Sequence, residues 1–300
     1  MCKLKSAIIL KDRIFMPDYD SHSKMLEELG ITDDYINASK VFVRAELAPE
    51  NGDAFSDIDN WKFSVDQDIT PEWFDEKDCA ERMRKAVKEW AKTHIFIGLN
   101  ELKISHGENI FIKDCKNVDI CGKATVKYIC GKATVENISD KATVKYIYGN
   151  ATVEYIYGDA TVESISGKAT VKYICGKATV KYIHDNATVE SIYDTATVES
   201  ICGKAMVKYI HDNAKVESIC ENATGEYICG NATVKNIYDN ATVKSIYDNA
   251  TVKSICDNAT IENICDNATV ISSPYYKWNK SDSLIIADNA MFKDCYSKTT

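Results

Sequence analysis

The sequence predicts an all-β parallel β-solenoid preceded by a small α+β domain. Three observations lead there. From Cys121 to Ser273 one nine-residue phrase, [C/Y/H/S]-[G/D]-[K/N]-A-T-V-[K/E]-[Y/S/N]-I, is written 17 times without a gap. A fixed short period marks stacked units that each touch only their neighbours, and nine residues are too few for a helical repeat. The phrase is rich in Thr, Val, Ile and Tyr, which suit strands. The first 105 residues carry no repeat and mix apolar runs with one long helical stripe.

In chain order, Ala7 to Phe15 reads as a strand, followed by a turn at Pro17-Asp18-Tyr19-Asp20. Ser21 or Ser23 caps a short helix through Leu29, with Gly30 as its stop. Val41 to Leu47 and Trp61 to Val65 are two further strands, separated by the turn signal Glu50-Asn51-Gly52-Asp53. Thr70-Pro71-Glu72 has Pro at the favoured first position of a short helical turn. Asp78 to Thr93 is the clearest helix, with Ala80, Met83, Val87, Trp90 and Ala91 on one stripe. That stripe is expected to pack on the local sheet or to plug an end of the solenoid. The domain boundaries expected are 1–105 for the α+β part, 106–273 for the solenoid and 274–300 for a C-terminal cap. Residues 102–120 are read as irregular first rungs.

Within the phrase, Ala holds place four in every copy, and Ile holds place nine in all but the last, where Ser273 stands. Val holds place six except at Gly225 and Ile261, and Thr holds place five except at Met206 and Lys215. Alternation puts Ala and Val inward and Thr outward. Ile must also point inward, so a corner is expected at places seven and eight. Gly-Lys, Gly-Asn or Asp-Asn at places two and three signals a turn with positive φ.

Charge at place seven decides between two and three copies per coil, because like charges stacked in register repel. Stacking every second copy makes 10 of 14 neighbouring pairs opposite in sign; stacking every third makes 6 of 13. Eighteen residues per coil in two sheets is therefore favoured over 27. The near-copies 175–201 and 202–228, offset by 27, support the alternative. At ~4.8 Å per coil the 17 copies give a rod of roughly 40 Å. Pro274, Tyr275, Tyr276 and Trp278 are candidates to cover the last rung. Ala287-Asp288-Asn289-Ala290-Met291-Phe292 echoes the repeat and suggests one degenerate rung more.

Net charge is −9, but the span 121–273 holds 15 Lys against 18 acidic residues, so the rod is only −3. No basic patch is present, and direct nucleic-acid binding is not expected. A DNA mimic would need about one negative charge per 1.7 Å, far denser than this. No segment has the apolar length to cross a bilayer, and the first twelve residues have too short an apolar run for a signal peptide. Eight of the 12 cysteines sit at place one, where Tyr, His and Ser also occur. A disulfide framework does not exchange Cys for Tyr, so reduced thiols and a cytoplasmic protein are expected.

The repeat resembles the short-period β-solenoid proteins of bacteria and their phages, through its Ala-Thr-Val-x-x-Ile units and Gly-Asn or Asp-Asn turns. The 9-residue period is similar to calcium-binding β-rolls, but the Gly-Gly-x-Gly-x-Asp run of those proteins is absent, so calcium binding does not carry over. Pentapeptide solenoids resemble it only in style. The N-terminal segment, with Trp-Lys-Phe-Ser-Val-Asp-Gln-Asp and Val-Lys-Glu-Trp-Ala-Lys-Thr-His, resembles a module of uncharacterised repeat proteins. The resemblance implies no activity.

Candidate chemistry is sparse. Asp18, Asp20 and His22 have ligand-type side chains at alternate places and are the metal candidates, set against a plain turn and helix cap. Asp66, Asp68, Glu72, Asp75 and Glu76 form an acidic run that lacks the Gly and closing Glu of a calcium loop. At 18 per coil, His184, Cys202 and Cys220 share one column, but stacked strands set ligands in a row and not a tetrahedron. The Thr columns resemble ice-binding arrays, yet they run beside Lys and Glu. No phosphate loop, nucleophile elbow, paired-Cys zinc motif or Rossmann signature occurs. The expectation is a non-enzymatic protein without cofactor, presenting a rigid solenoid as a scaffold to a protein partner. A DNA-mimic inhibitor, or an enzyme or metal site in the N-terminal domain, is the alternative.

Overall fold

The computed structural model describes residues 5–275, 277–279, 284–287 and 289–295. The chain divides into two compact units, Met1–Ile97 with Gly107–Phe111, and Gly98–His106 with Ile112–Thr300.

The first unit is α+β. Its antiparallel sheet holds β1 (Lys5–Leu10), β2 (Ile14–Phe15), β3 (Phe42–Ala48) and β4 (Lys62–Val65), in the order β2-β1-β3-β4. The run read as one strand is a hairpin, because Lys11-Asp12-Arg13 turns the chain and the Leu10 N–H donates to the Arg13 carbonyl at 2.8 Å. Helix α1 (His22–Glu28) is capped by Ser21 and stops at Gly30, whose φ of +66° only Gly adopts at little cost. A short helix α2 (Tyr35–Ala38), unread in the sequence, begins at Asp34, which accepts from the Asn37 N–H. Pro71 starts only a turn, closed by the Phe74 N–H. The long helix α3 (Glu76–His94) begins at Asp75, which accepts from the Asp78 N–H at 2.7 Å. Its stripe of Ala80, Met83, Val87, Trp90 and Ala91 is buried and packs on β1, β2 and β3.

The second unit is a two-sheet parallel β-solenoid. It includes a parallel pair, Leu102–Ile104 on Val118–Ile120, and the register shift expected of an irregular first rung falls at the next pairing, between Val135 and Asn137. From Thr125 onward each copy gives one strand, and successive copies alternate between the two sheets. Thr134 pairs with Thr152 and Thr143 with Thr161, so neighbours in a sheet are 18 residues apart. The 27-residue alternative falls, and the duplication at that offset is a feature of the sequence alone. Ala, Val and Ile of places four, six and nine are 2% exposed or less throughout the repeats. The strand does not stop at places seven and eight. It runs from place five to place nine, and both residues face outward inside it.

The corner lies instead at places one to four. The place-four Ala N–H donates to the place-one carbonyl, as from Ala142 to Ser139 at 3.1 Å. Positive φ falls on place two in every copy, whether Gly, Asp or Glu221, and not on the Asn at place three. A non-Gly residue in this region carries a steric cost. The Asp side chain offsets it by accepting from the place-two N–H of the coil before. Asp140 binds Gly122 at 2.9 Å, Asp194 binds Gly176 at 3.0 Å and Asp248 binds Gly230 at 2.9 Å. Place three builds amide ladders, among them Asn231–Asn249–Asn267, with each step at 3.4 Å.

Charge alternation at place seven gives ion pairs between coils: Lys172–Glu154 at 3.2 Å, Lys235–Glu217 at 3.3 Å and Lys244–Glu226 at 2.7 Å. At the far end Ile285–Ile286 and Met291–Lys293 add one strand to each sheet, which is the degenerate rung. Trp278 covers part of the last coils, donating from Nε1 to the Ala259 carbonyl at 2.6 Å and meeting Phe292 edge-on. Tyr275 does not, being 84% exposed, and Tyr276 lies outside the described residues. No helix among the described residues is long and apolar enough to cross a membrane.

Candidate functional site

The first unit separates the three residues that the sequence set side by side. Asp18 meets His94 Nε2 at 3.1 Å. Asp20 faces the fully buried Lys5 ammonium at 3.6 Å and accepts from the Ser6 N–H. His22, buried on the first turn of α1, points elsewhere: its Nδ1 lies 3.3 Å from Asp66 Oδ2, and its Nε2 lies 3.2 Å from the Ala45 carbonyl. Glu46, buried on β3, completes a group in which the donor atoms of His22, Glu46 and Asp66 all lie within 4.8 Å of one another. Among the described residues this is the one set of three or more His, Cys, Asp or Glu side chains so gathered.

The sheet holds these groups in place. The Asp66 N–H donates to the Arg44 carbonyl at 2.9 Å, which carries the chain past the end of β4. Gln67 then pins the loop: its amide donates to the carbonyls of Ala38, Phe42 and Ile69 and accepts from the Arg44 N–H at 2.8 Å. Asp66 and Asp68 thereby face an open cleft of ≈ 560 Å³, together with Asp33, Asp34, Tyr35 and Arg44. Four aspartates stand against one arginine, and Arg44 is itself paired with Asp33. Of the rest of the acidic run, Asp75 caps the helix and Glu76 lies in its first turn, while Glu72 sits in the Pro71 turn. Sequence reading missed Glu46 and Gln67. The available signal for Glu46 was a carboxylate in a strand whose other residues, Arg44 apart, are all apolar.

On the solenoid, places eight and one form outward stripes. Tyr155 stacks on Tyr173 at 5.0 Å, Tyr173 meets Tyr193 edge-on, and Tyr193 stacks on His211 at 5.3 Å. On the other sheet Tyr128 stacks on Tyr146 at 5.6 Å and meets Tyr148 edge-on. These rings border a groove of ≈ 480 Å³ whose other walls are Gly149, Ser164, Ser166, Gly167, His184 and Asp185. Ser164 Oγ lies 2.8 Å from His184 Nε2, and His184 Nδ1 lies 3.3 Å from Asp185. The same chain recurs at Ser191, His211 and Asp212. The atom order is that of a nucleophile, base and carboxylate. The two serines are 4% and 5% exposed, however, and the same 20-residue step joins Tyr173 to Tyr193 and Ser200 to Cys220. It is the way neighbouring coils pack, and it needs no reaction to explain it.

His184, Cys202 and Cys220 stack along one edge as their spacing implies, but they form no converging ligand set. The described cysteines are thiols. Burial raises the Cys175, Cys202 and Cys229 thiols above their ordinary range, and it pushes Cys256 up to about 12 with help from the Asp257 charge. The Tyr193 and Tyr247 hydroxyls are raised first by hydrogen bonds to Cys175 and Cys229, then by burial. Each of these shifts disfavours the thiolate or phenolate, which is the nucleophilic form. No protein-family model matches the chain, and neither a curated protein nor a solved structure does so.

Proposed function

We propose that the protein is a non-enzymatic binding scaffold whose solenoid presents tyrosine stripes to a protein partner. The observation that carries this reading is the stripe of Tyr128, Tyr146 and Tyr148 along the ≈ 480 Å³ groove, with Ser, Gly, His and Asp around it. Tyr with Ser and Gly is the composition of protein-binding surfaces, because Tyr offers a large amphipathic contact at low entropic cost. Hydrogen-bonded parallel strands hold these rings, so little ordering is lost on docking. Charge supports the same reading, since Lys and Glu interleaved along place seven leave no single-sign field for a polyanion.

The test compares two forms of the full chain as bait in a lysate of the source cells. One is unaltered, and the other carries Tyr128→Ser, Tyr146→Ser and Tyr148→Ser. A protein held by the first and lost from the second, with the far-UV spectrum unchanged, is the expected result. Identical captured sets from both forms would remove the stripe as the binding surface.

A further inference from the structure

We propose that His22, Glu46 and Asp66 bind a first-row divalent cation of the zinc type, beside the aspartate-lined cleft of the first unit. The proposal is independent of the scaffold reading.

The donor set is one imidazole nitrogen and two carboxylates, converging within 4.8 Å. The 3.3 Å between His22 Nδ1 and Asp66 Oδ2 matches the edge of a tetrahedron with bonds of about 2.0–2.1 Å. A mixed nitrogen and oxygen set suits zinc and its first-row neighbours. Calcium takes six or more oxygens, and copper(I) prefers sulfur.

The imidazole supplies a second, independent observation. The Ala45 carbonyl can only accept, so in neutral His22 it is Nε2 that carries the proton. Nδ1 then turns a bare lone pair toward Asp66 Oδ2, which is also an acceptor. Two acceptors at this distance repel unless a cation lies between them. An imidazole fixed through its far nitrogen by a backbone carbonyl is how proteins orient a liganding histidine.

A proton on Nδ1 is the competing cation. It accounts for the contact of His22 with Asp66; a metal ion differs from it in engaging the Glu46 carboxylate as well, which lies within 4.8 Å of both donors. His22 and Glu46 are 6% and 8% exposed, so both are held in place by packing, whereas the Asp66 side chain is 63% exposed and reaches the cleft. The excess of aspartates in that cleft favours entry of a divalent cation.

The experiment titrates chelator-treated full-length protein with Co2+ alone, read by visible absorption, and then displaces it with Zn2+. Co2+ distinguishes this site from the cysteine-rich solenoid, because thiolate ligands add a strong near-ultraviolet charge-transfer band. Expected is one equivalent of Co2+ with d–d bands and no thiolate band. Its affinity should fall at least ~10-fold in Asp66→Asn and in Glu46→Gln, and stay unchanged in Asp18→Asn. Asp66→Asn alters an exposed group, so it reports on binding even if Glu46→Gln disturbs the sheet. Isothermal titration with Mg2+ is expected to give weaker binding than Zn2+. No saturable Co2+ binding, a thiolate band at the first equivalent, or equal affinity in Asp66→Asn and the unaltered chain would each overturn the proposal.

Discussion

Gly225 stands where 15 of the 17 copies carry Val, facing the core between Val207 and Val243. Its backbone is an ordinary strand, and a β-carbon there would meet Val243 and Ile219 at 3.6 and 3.7 Å, which is normal contact. Gly225→Val therefore adds buried apolar volume on a β-carbon that fits, and it removes backbone freedom from the unfolded chain. A gain of about 1–3 kcal/mol in urea unfolding is expected, and a loss would mean that the neighbouring coils have closed over the site. Asp185 tests the place-two turn. Its carboxyl is held below its ordinary 3.8, chiefly by the Gly167 N–H and then by His184. A depressed folded value gives stability that is full above 3.8 and is lost as pH falls through the folded value. Asp185→Asn should accordingly lower the melting temperature at pH 7, and the difference from the parent should shrink towards pH 3. A gap that widens on acidification would refute the turn's account. Cys256, pushed up to about 12 and 8% exposed, should resist iodoacetamide at pH 8 until the chain is unfolded. Mass spectrometry of labelled peptides reads this directly.

At the scale of one coil, the period of 18 was legible because place seven carries charge, and charge stacked in register reports on its neighbours. Lys244 lies between Glu226 and Glu262 in that column and bonds Glu226 at 2.7 Å. Lys244→Glu would stack three carboxylates, and the melting temperature should fall in low salt and recover in part at high salt as the repulsion is screened. No change in either condition would mean that the column is energetically silent. The turn was legible only in part. The dipeptides at places two and three signalled a positive φ without saying which residue takes it; Asp takes it at place two, where its side chain reaches the coil before. That contact is 18 residues away in sequence and has no local signature. Places seven and eight were read as a corner because strict alternation cannot put both Val and Ile inward. The strand solves this by facing two successive residues outward, a distortion that tertiary packing imposes and local pattern does not announce. In the first unit the helix stripe was plain from its period. Glu46 joins His22 and Asp66 only through strand pairing, so its place in the cluster could not be read from spacing.

At the scale of the whole array, copies ten to twelve depart most from the consensus, with Met206, Lys215 and Gly225 in successive copies. Pairing is intact there: Met206 aligns with Thr188 and Thr224, and Lys215 with Thr197 and Thr233. What is lost is packing at Gly225 and the regular outward Thr row at the other two. Lys215 and Met206 point outward and are exposed, so their cost is small beside that of a missing inward isopropyl group. Stability in a stacked array is a sum of coil terms and nearest-neighbour terms, so a weak coil opens without unfolding distant ones. Amides of 206–210, 215–219 and 224–228 should therefore exchange faster than those of 242–246, 251–255 and 260–264, although both groups have the same hydrogen-bond ladder. Gly225→Val should slow exchange in the first group and leave the second unchanged. If the two groups exchange alike in the unaltered protein, the array unfolds as one cooperative body, and the core contribution of a single place-six residue is shared along its length.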